Sequence, residues 1–485
     1  MVQAHASKMA PDARPMMIAA LSDDTEEVRS LVASLGFPID ASFVQRRSNP
    51  DNQLWVGSGK VREIRDHVRA EYGIWRKPSR GRNPFTSSGE SDREEPPTEF
   101  RVQGPSTDVR KRLSKGPEPI LLLVGEMKPT HKFNLEDVLG VEVWDRTRLI
   151  LEIFSRRAGL KEARLQVELA QLRYEAPMAR EAVHRMKSGE RPGYMGGGEY
   201  ASADFEQAQK KRLAVVRAEL EKVRGERAER RKVRHEAFHL VSLAGYTNAG
   251  KSRLLNALTG EHKEVENRMF TTLSTATRRV AYERFQPTTP GLMERPMLLT
   301  DTVGFIRDLP AWLLDAFHST LEEIALADVV LLTIDVSEPL DEIASKLAVC
   351  QKELAHLQVT VPVVTALNKA DLLSPEELKV RLRDLERLRL IDPERALPVS
   401  AARSMNLGQL VELLHDQLPP PRRLVVELPN DAQGASVLST LHGMMRVDNT
   451  RYGDVLHVEG VTDPLRFHSI VSTVRKNRGE VRVVS

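Results

Sequence analysis

Apolar residues fall into two rhythms along this chain, near-continuous short runs and a three-to-four-residue recurrence, and their alternation predicts strands interleaved with helices. At the start, Met16–Leu21 and Ser42–Arg46 read as strands, while Thr25–Leu35 and Lys60–Tyr72 carry the helical recurrence. The next strand, Ile120–Val124, comes only after 76–118. That stretch is rich in Arg, Pro, Ser, Gly and Glu and too poor in large apolar residues to bury itself, so it is expected to be a flexible insertion, or else a nucleic-acid tether. Arg148–Tyr174, with Leu165, Leu169 and Leu172 on one face, and Phe205–Arg234, with Leu213, Val216, Leu220 and Val223, predict two long helices packed as an antiparallel hairpin. Between them Ser188–Tyr200 forms a long Gly-rich tip, more than a connector needs, and is read as a probing loop on a rigid stalk.

Further on, the apolar runs Leu240–Ala244, Met297–Thr300 and Val361–Leu367 have the composition of parallel strands buried on both faces. Pro419-Pro420-Pro421 then breaks the chain. Beyond it the pattern reads strand Arg423–Leu428, helix Ala435–Met445, strand Asp454–Val458, helix Asp463–Arg475 and strand Glu480–Val484. The expected class is α/β: an N-terminal α/β domain at 1–144 interrupted by the insertion, an α-helical hairpin at 145–238, an α/β domain with a doubly wound sheet at 239–419, and a small C-terminal α/β module at 420–485.

The chemistry concentrates where strands end. Gly245-Tyr246-Thr247-Asn248-Ala249-Gly250-Lys251-Ser252 follows one buried run and opens the helical Arg253–Leu258, the strand-to-helix setting of a phosphate-binding loop. Its glycines let consecutive N–H groups face the phosphates, the helix adds its positive end, Lys251 supplies a cation and Ser252 a Mg²⁺ ligand. The alternative is a Gly-containing turn with a chance Lys-Ser. Asp301-Thr302-Val303-Gly304 ends the next buried run. There Asp301 can hold the Mg²⁺ water shell and Gly304 can offer its N–H to a γ-phosphate. In Phe270-Thr271-Thr272-Leu273, Thr272 is the expected switch ligand to Mg²⁺, although loop threonines more often cap turns.

Asn368-Lys369-Ala370-Asp371 stands at the carboxyl edge of a strand, where doubly wound sheets bind ligands. The Asp371 carboxylate can accept from N1–H and the exocyclic amine of guanine, whereas adenine offers neither. An unpaired buried carboxylate costs roughly 1–3 kcal/mol or more, so GTP is preferred over ATP about tenfold to hundredfold. Ser400-Ala401-Ala402 would approach the same base by its backbone. The catalytic expectation is Lys251, Thr272 and Gly304, and nucleotide contacts extend from Gly245 through Arg253. The order of these motifs makes 239–419 a P-loop GTPase domain, expected to bind GTP or GDP with Mg²⁺. Phe305 follows Gly304 where many small GTPases carry a water-positioning Gln, which implies slow hydrolysis until a partner supplies that function.

Composition adds bounds. The 485 residues carry a net charge of +3, so the chain is no general polyanion binder, but 146–236 holds 22 Lys and Arg against 14 Asp and Glu. That excess suits phosphate backbones or, as readily, a solvated helix pair. Cys350 is the only cysteine, excluding an internal disulfide and a Cys-based zinc cluster, and His442, His457 and His468 are among thirteen scattered histidines. No run of about eighteen apolar residues offers a membrane span, and the first residues lack a leader pattern, so a cytoplasmic monomer without DNA specificity is expected.

Taken together, Gln45-Arg46-Arg47, Gly57-Ser58-Gly59-Lys60, Asp145–Leu151, Leu165–Leu172 and the phosphate loop resemble the HflX family of ribosome-associated GTPases over most of 16–418. The resemblance implies binding to the large ribosomal subunit, with the helical domain reaching toward the peptidyl-transferase region and GTP stabilising the bound form. In bacterial members this accompanies splitting of stalled ribosomes. The tip Arg191–Glu199, Ser274 where the family more often has Asp, and the insertion all depart from the commoner bacterial pattern, in the manner of a divergent, archaeal-type branch. A rival reading is a nucleotide-gated RNA scaffold or chaperone with little turnover.

Overall fold

The structure is a computed structural model, and it describes residues 13–74, 117–189, 197–260, 276–285, 296–310, 312–313 and 318–484. The chain forms two compact units, Met1–Glu219 with Leu309–Ala316, and Leu220–Asp308 with Phe317–Ser485. All but the last two residues of the expected insertion, and all of Thr271–Ser274, lie outside the described residues.

In the first unit β1 (Met16–Ala20), α1 (Glu26–Leu35), β2 (Ile39–Val44), α2 (Ser58–Tyr72), β3 (Ile120–Leu123), α3 (Pro129–Leu139) and β4 (Glu142–Asp145) alternate along the chain. The four strands form a parallel sheet ordered β2-β1-β3-β4. Every residue of β1 and β3 is buried, as a parallel strand covered on both faces requires.

The single helix expected over Arg148–Tyr174 is two: α4 (Arg146–Arg157) and α5 (Lys161–Gly189). Ala158 leaves the helical region at ψ 85, and Gly159 follows, so the backbone turns where the apolar stripe alone shows no break. Asp145 caps α4 by accepting the Arg148 N–H at 2.7 Å, and the Tyr174 hydroxyl donates to the same carboxylate at 3.1 Å. Burial pushes that carboxyl up to about 6.

The hairpin's return helix, α6 (Gly197–Ala237), starts inside the stretch expected to be a loop, leaving 190–196 outside the described residues. Lys161 pairs with Glu219 at 3.1 Å and Arg212 with Glu168, an antiparallel register in which Leu165, Leu169 and Val216 are buried.

The second unit opens with β5 (His239–Gly245), α7 (Lys251–Thr259), β6 (Ala276–Arg279), β7 (Met297–Asp301), α8 (His318–Ala325), β8 (Val329–Asp335), α9 (Leu340–His356), β9 (Val363–Asn368), α10 (Pro375–Arg387), β10 (Ala396–Pro398) and α11 (Leu407–Asp416). Its sheet is ordered β10-β9-β8-β5-β7-β6, parallel except for β6. This is the doubly wound P-loop GTPase fold, with the carboxyl ends of β5, β7, β8 and β9 on one edge.

Beyond it, β11 (Arg422–Pro429), α12 (Ala432–His442), β12 (Arg446–Tyr452), β13 (Val455–Thr462), α13 (Pro464–Lys476) and β14 (Glu480–Val484) form an antiparallel sheet ordered β12-β13-β11-β14. β12 has no counterpart in the apolar pattern. As an edge strand carrying Arg446, Asp448, Asn449 and Arg451, it exposes polar side chains where a pattern search expects alternation. The buried His239 at the start of β5 lies 2.6 Å from Asp463, the N-cap of α13, joining this sheet to the GTPase sheet.

Candidate nucleotide-binding site

The phosphate loop leaves β5 through Gly245 at φ 142, where a Cβ would stand 2.3 Å from the Thr333 carbonyl oxygen, so only glycine fits. It closes through Gly250 at φ 95, where a Cβ would meet Asn368 Nδ2 at 2.3 Å. That clash identifies what the second glycine makes room for. Asn368 Nδ2 donates to the Ala249 carbonyl at 2.9 Å, while its Oδ1 accepts the Ala401 N–H at 3.1 Å. One side chain thus ties together three of the expected motifs, and it is 2 % exposed.

Lys369 follows at φ 62, a left-handed position, and its ammonium pairs with Asp335 at 2.6 Å. Asp335, at the end of β8, was not singled out by motif. Its signal is an acidic residue closing a buried run at the same sheet edge as the other loops. Asp371 lies in a short turn, Ala370–Leu372, with its side chain exposed. The Ala370 N–H donates to Val399, and Ser400 Oγ accepts the Arg403 N–H at 3.0 Å, so the loops expected to read a base sit side by side. Ala401 is buried and Ala402 exposed.

On the phosphate side, Lys251 is buried, its ammonium donating to the carbonyls of Gly245 at 3.0 Å and Tyr246 at 2.9 Å. Burial holds its pKa below the usual lysine value, against the opposing pull of Asp301. Ser252 Oγ donates to Asp301 Oδ2 at 2.6 Å, bringing together two of the three expected metal ligands. Thr272 lies outside the described residues. Gly304 packs against the loop so closely that a Cβ there would stand 2.7 Å from Lys251 Nζ and 3.0 Å from the Thr247 Cα. Phe305 is buried, its N–H donating to Gly245 at 3.0 Å and its carbonyl accepting from Thr247 at 2.8 Å. Asn248 at φ 65 and Arg253 are both exposed at the rim. Every described member of the expected nucleotide set therefore lies on the loops at the carboxyl edge of one sheet.

Residues 240–369 match the family model described as a 50S ribosome-binding GTPase, 157–234 that of the GTP-binding GTPase middle region, and 22–74 with 91–155 that of the GTP-binding GTPase N-terminal region. GTPase HflX of Thermococcus kodakarensis is 38% identical over 403 residues, covering 81% of this chain and 87% of the relative. The chain belongs to the HflX family of GTPases. It binds guanine nucleotide and hydrolyses GTP.

GTPase HflX of Methanocaldococcus jannaschii is 42% identical over 299 residues, 61% of this chain and 71% of that one. Among solved structures, a GTP-binding protein of Sulfolobus solfataricus in complex with GDP is similar at 23% identity, with a TM-score of 0.40, over 83% of this chain and 98% of that one. Among the described residues no helix is long and apolar enough to cross a membrane.

Proposed function

We propose that this HflX-family chain is a Mg²⁺-dependent GTPase whose GTP-bound form docks on the large ribosomal subunit, and that this docking opposes subunit joining and so splits stalled ribosomes. The observation that supports the partner most directly is the family-model match over 240–369, the same residues that carry the phosphate loop and Asn368. The excess of Lys and Arg over 146–236 fits a phosphate-rich partner.

In this reading the Lys251 ammonium, two of whose three N–H groups donate to loop carbonyls, binds the β- and γ-phosphates, the loop amides and the start of α7 neutralise the phosphate charge, and Asp371 reads the guanine edge. The Ser252 hydroxyl in the first turn of α7 and the Asp301 carboxylate at the end of β7 are hard oxygen donors that suit Mg²⁺, with Thr272 as the third ligand. Bound there, the ion would neutralise charge on the β- and γ-phosphate oxygens. Gly304 senses the γ-phosphate through its N–H. A buried phenylalanine beside it cannot orient water, so hydrolysis is slow alone and accelerated by a surface of the partner.

Sucrose-gradient co-sedimentation with purified large subunits tests the partner. The chain travels with the subunit in a non-hydrolysable GTP analogue and not in GDP, and equal distribution in both would overturn the reading. Splitting is tested by adding the chain and the analogue to intact ribosomes, where the ribosome peak must give way to separate subunits.

A further inference from the structure

Helices α3 and α5 enclose a groove of about 470 Å³. One wall is a single face of α5, where Pro177, Arg180, Glu181 and His184 recur at helical spacing, and the other is Lys128 to Thr130 at the start of α3. Arg185 holds the walls together. Its guanidinium donates to Asn134 Oδ1 at 2.7 Å and to the Thr130 carbonyl at 3.3 Å, pairs with Glu181 at 2.9 Å and lies 5.2 Å from the centre of the Phe133 ring. The groove is therefore preformed, and its one carboxylate, Glu181, is already paired. The basic side chains of α3, its cap Lys128 and α5 divide into two sets. Lys132 pairs with Glu136, His131 meets the Asn52 carbonyl, Lys161 pairs with Glu219, and Arg164 and Arg173 donate to the carbonyls of Ala158 and Trp312. Those that line the groove, Lys128, Arg180 and His184, are exposed and have no carboxylate or carbonyl partner among the described residues.

What such a groove lacks is an anion. Arg180 and His184, four residues apart on one face, are separated by about 6 Å along the helix axis, close to the interval between consecutive phosphates of an RNA strand. Lys128 stands on the facing wall. A guanidinium fork, an imidazole N–H and a mobile ammonium are the donors that phosphate oxygens take. From this arrangement we infer that the groove between α3 and α5 binds the phosphodiester backbone of RNA, seating two or three consecutive phosphates. Pro177 and Thr130 put no base-reading fork into it, so the contact positions the strand without reading sequence. An acidic protein segment would bring carboxylates on flexible side chains at no such regular interval. The inference rests on the proposed ribosomal partner for the source of the RNA and on nothing in the nucleotide site.

Each phosphate contact contributes about 0.7–0.9 to the slope of log affinity against log salt. The full chain carrying Lys128→Ala and Arg180→Ala together should therefore show a slope shallower by about 1.5 and an affinity about thirtyfold lower at about 0.1 M salt. The probes are protein-free large-subunit rRNA and purified large subunits, the latter with a non-hydrolysable GTP analogue. Both substitutions remove exposed side chains without partners, so thermal unfolding and GDP affinity should stay as in the parent chain. Lys128→Arg with Arg180→Lys keeps both charges and should restore the slope. An unchanged slope and affinity in the double alanine variant would overturn the site while leaving ribosome docking standing, provided the parent chain travels with the subunits. A loss on subunits but not on free rRNA would make the partner a ribosomal protein, which contradicts the inference. Failure of the parent chain to bind free rRNA overturns it whatever the subunits show.

Discussion

On the base side of the nucleotide site, Asn368 is bonded at both ends of its amide, Lys369 is paired with Asp335, and the turn after β10 is fixed by its own serine. On the phosphate side, Lys251 gives two of its three N–H donors to carbonyls of its own loop, Ser252 donates to the carboxylate it is expected to share with a metal, and Gly304 occupies the neighbourhood of the ammonium. Around the proposed base site, Asn368, Lys369 and Ser400 are each held by a partner. Those proposed to handle phosphate, Lys251 and Ser252, donate to groups of the protein itself, an arrangement expected to change when the triphosphate binds. The difference follows from what each side does: recognition gains from preorganisation, whereas a switch needs two arrangements of comparable stability.

Substitutions can break this contrast. The largest effect is expected for Lys251→Ala, which removes the cation proposed to hold the phosphates. Hydrolysis should fall by more than a hundredfold and triphosphate affinity should drop with it, measured as phosphate release and by calorimetry. Asp371→Asn should weaken GTP about tenfold to hundredfold and shift preference toward xanthine nucleotides, which competition binding would read, and unchanged guanine selectivity would refute the assignment. Gly304→Ala places a methyl against Lys251 and Thr247, so the hydrolysis rate should fall about tenfold with GDP affinity retained. Equal loss of GDP affinity would mean that the phosphate side is as fixed as the base side. Smallest is Asn368→Ala, which orphans the Ala249 carbonyl and the Ala401 N–H and should cost about 1–3 kcal/mol in denaturant unfolding without nucleotide.

Much of the site was legible because its chemistry depends on backbone geometry that few residues permit. Gly245 and Gly250 stand where a Cβ has no room, and buried runs that end in Asp301 and Asn368 mark a sheet edge without knowledge of the sheet. Asp335, and the tie between the Tyr246 hydroxyl and Arg307, show what such reading leaves out. Asp335 pairs with Lys369, and the Tyr246 hydroxyl accepts from Arg307 about sixty residues away in sequence, contacts that no local spacing encodes. In the fold, strands buried on both faces were plain, whereas β12 hid behind an edge strand's charges and the turn at Ala158–Leu160 behind an apolar stripe that continues across it.

Hydrogen exchange tests the contrast between the two sides most directly, followed in GDP and in a non-hydrolysable GTP analogue. The account predicts that the amides of 368–371 and 400–402 gain equal protection from both nucleotides, while those of 301–308 change only with the triphosphate. Equal responses of 301–308 to both, or base-side protection that requires the γ-phosphate, would contradict it.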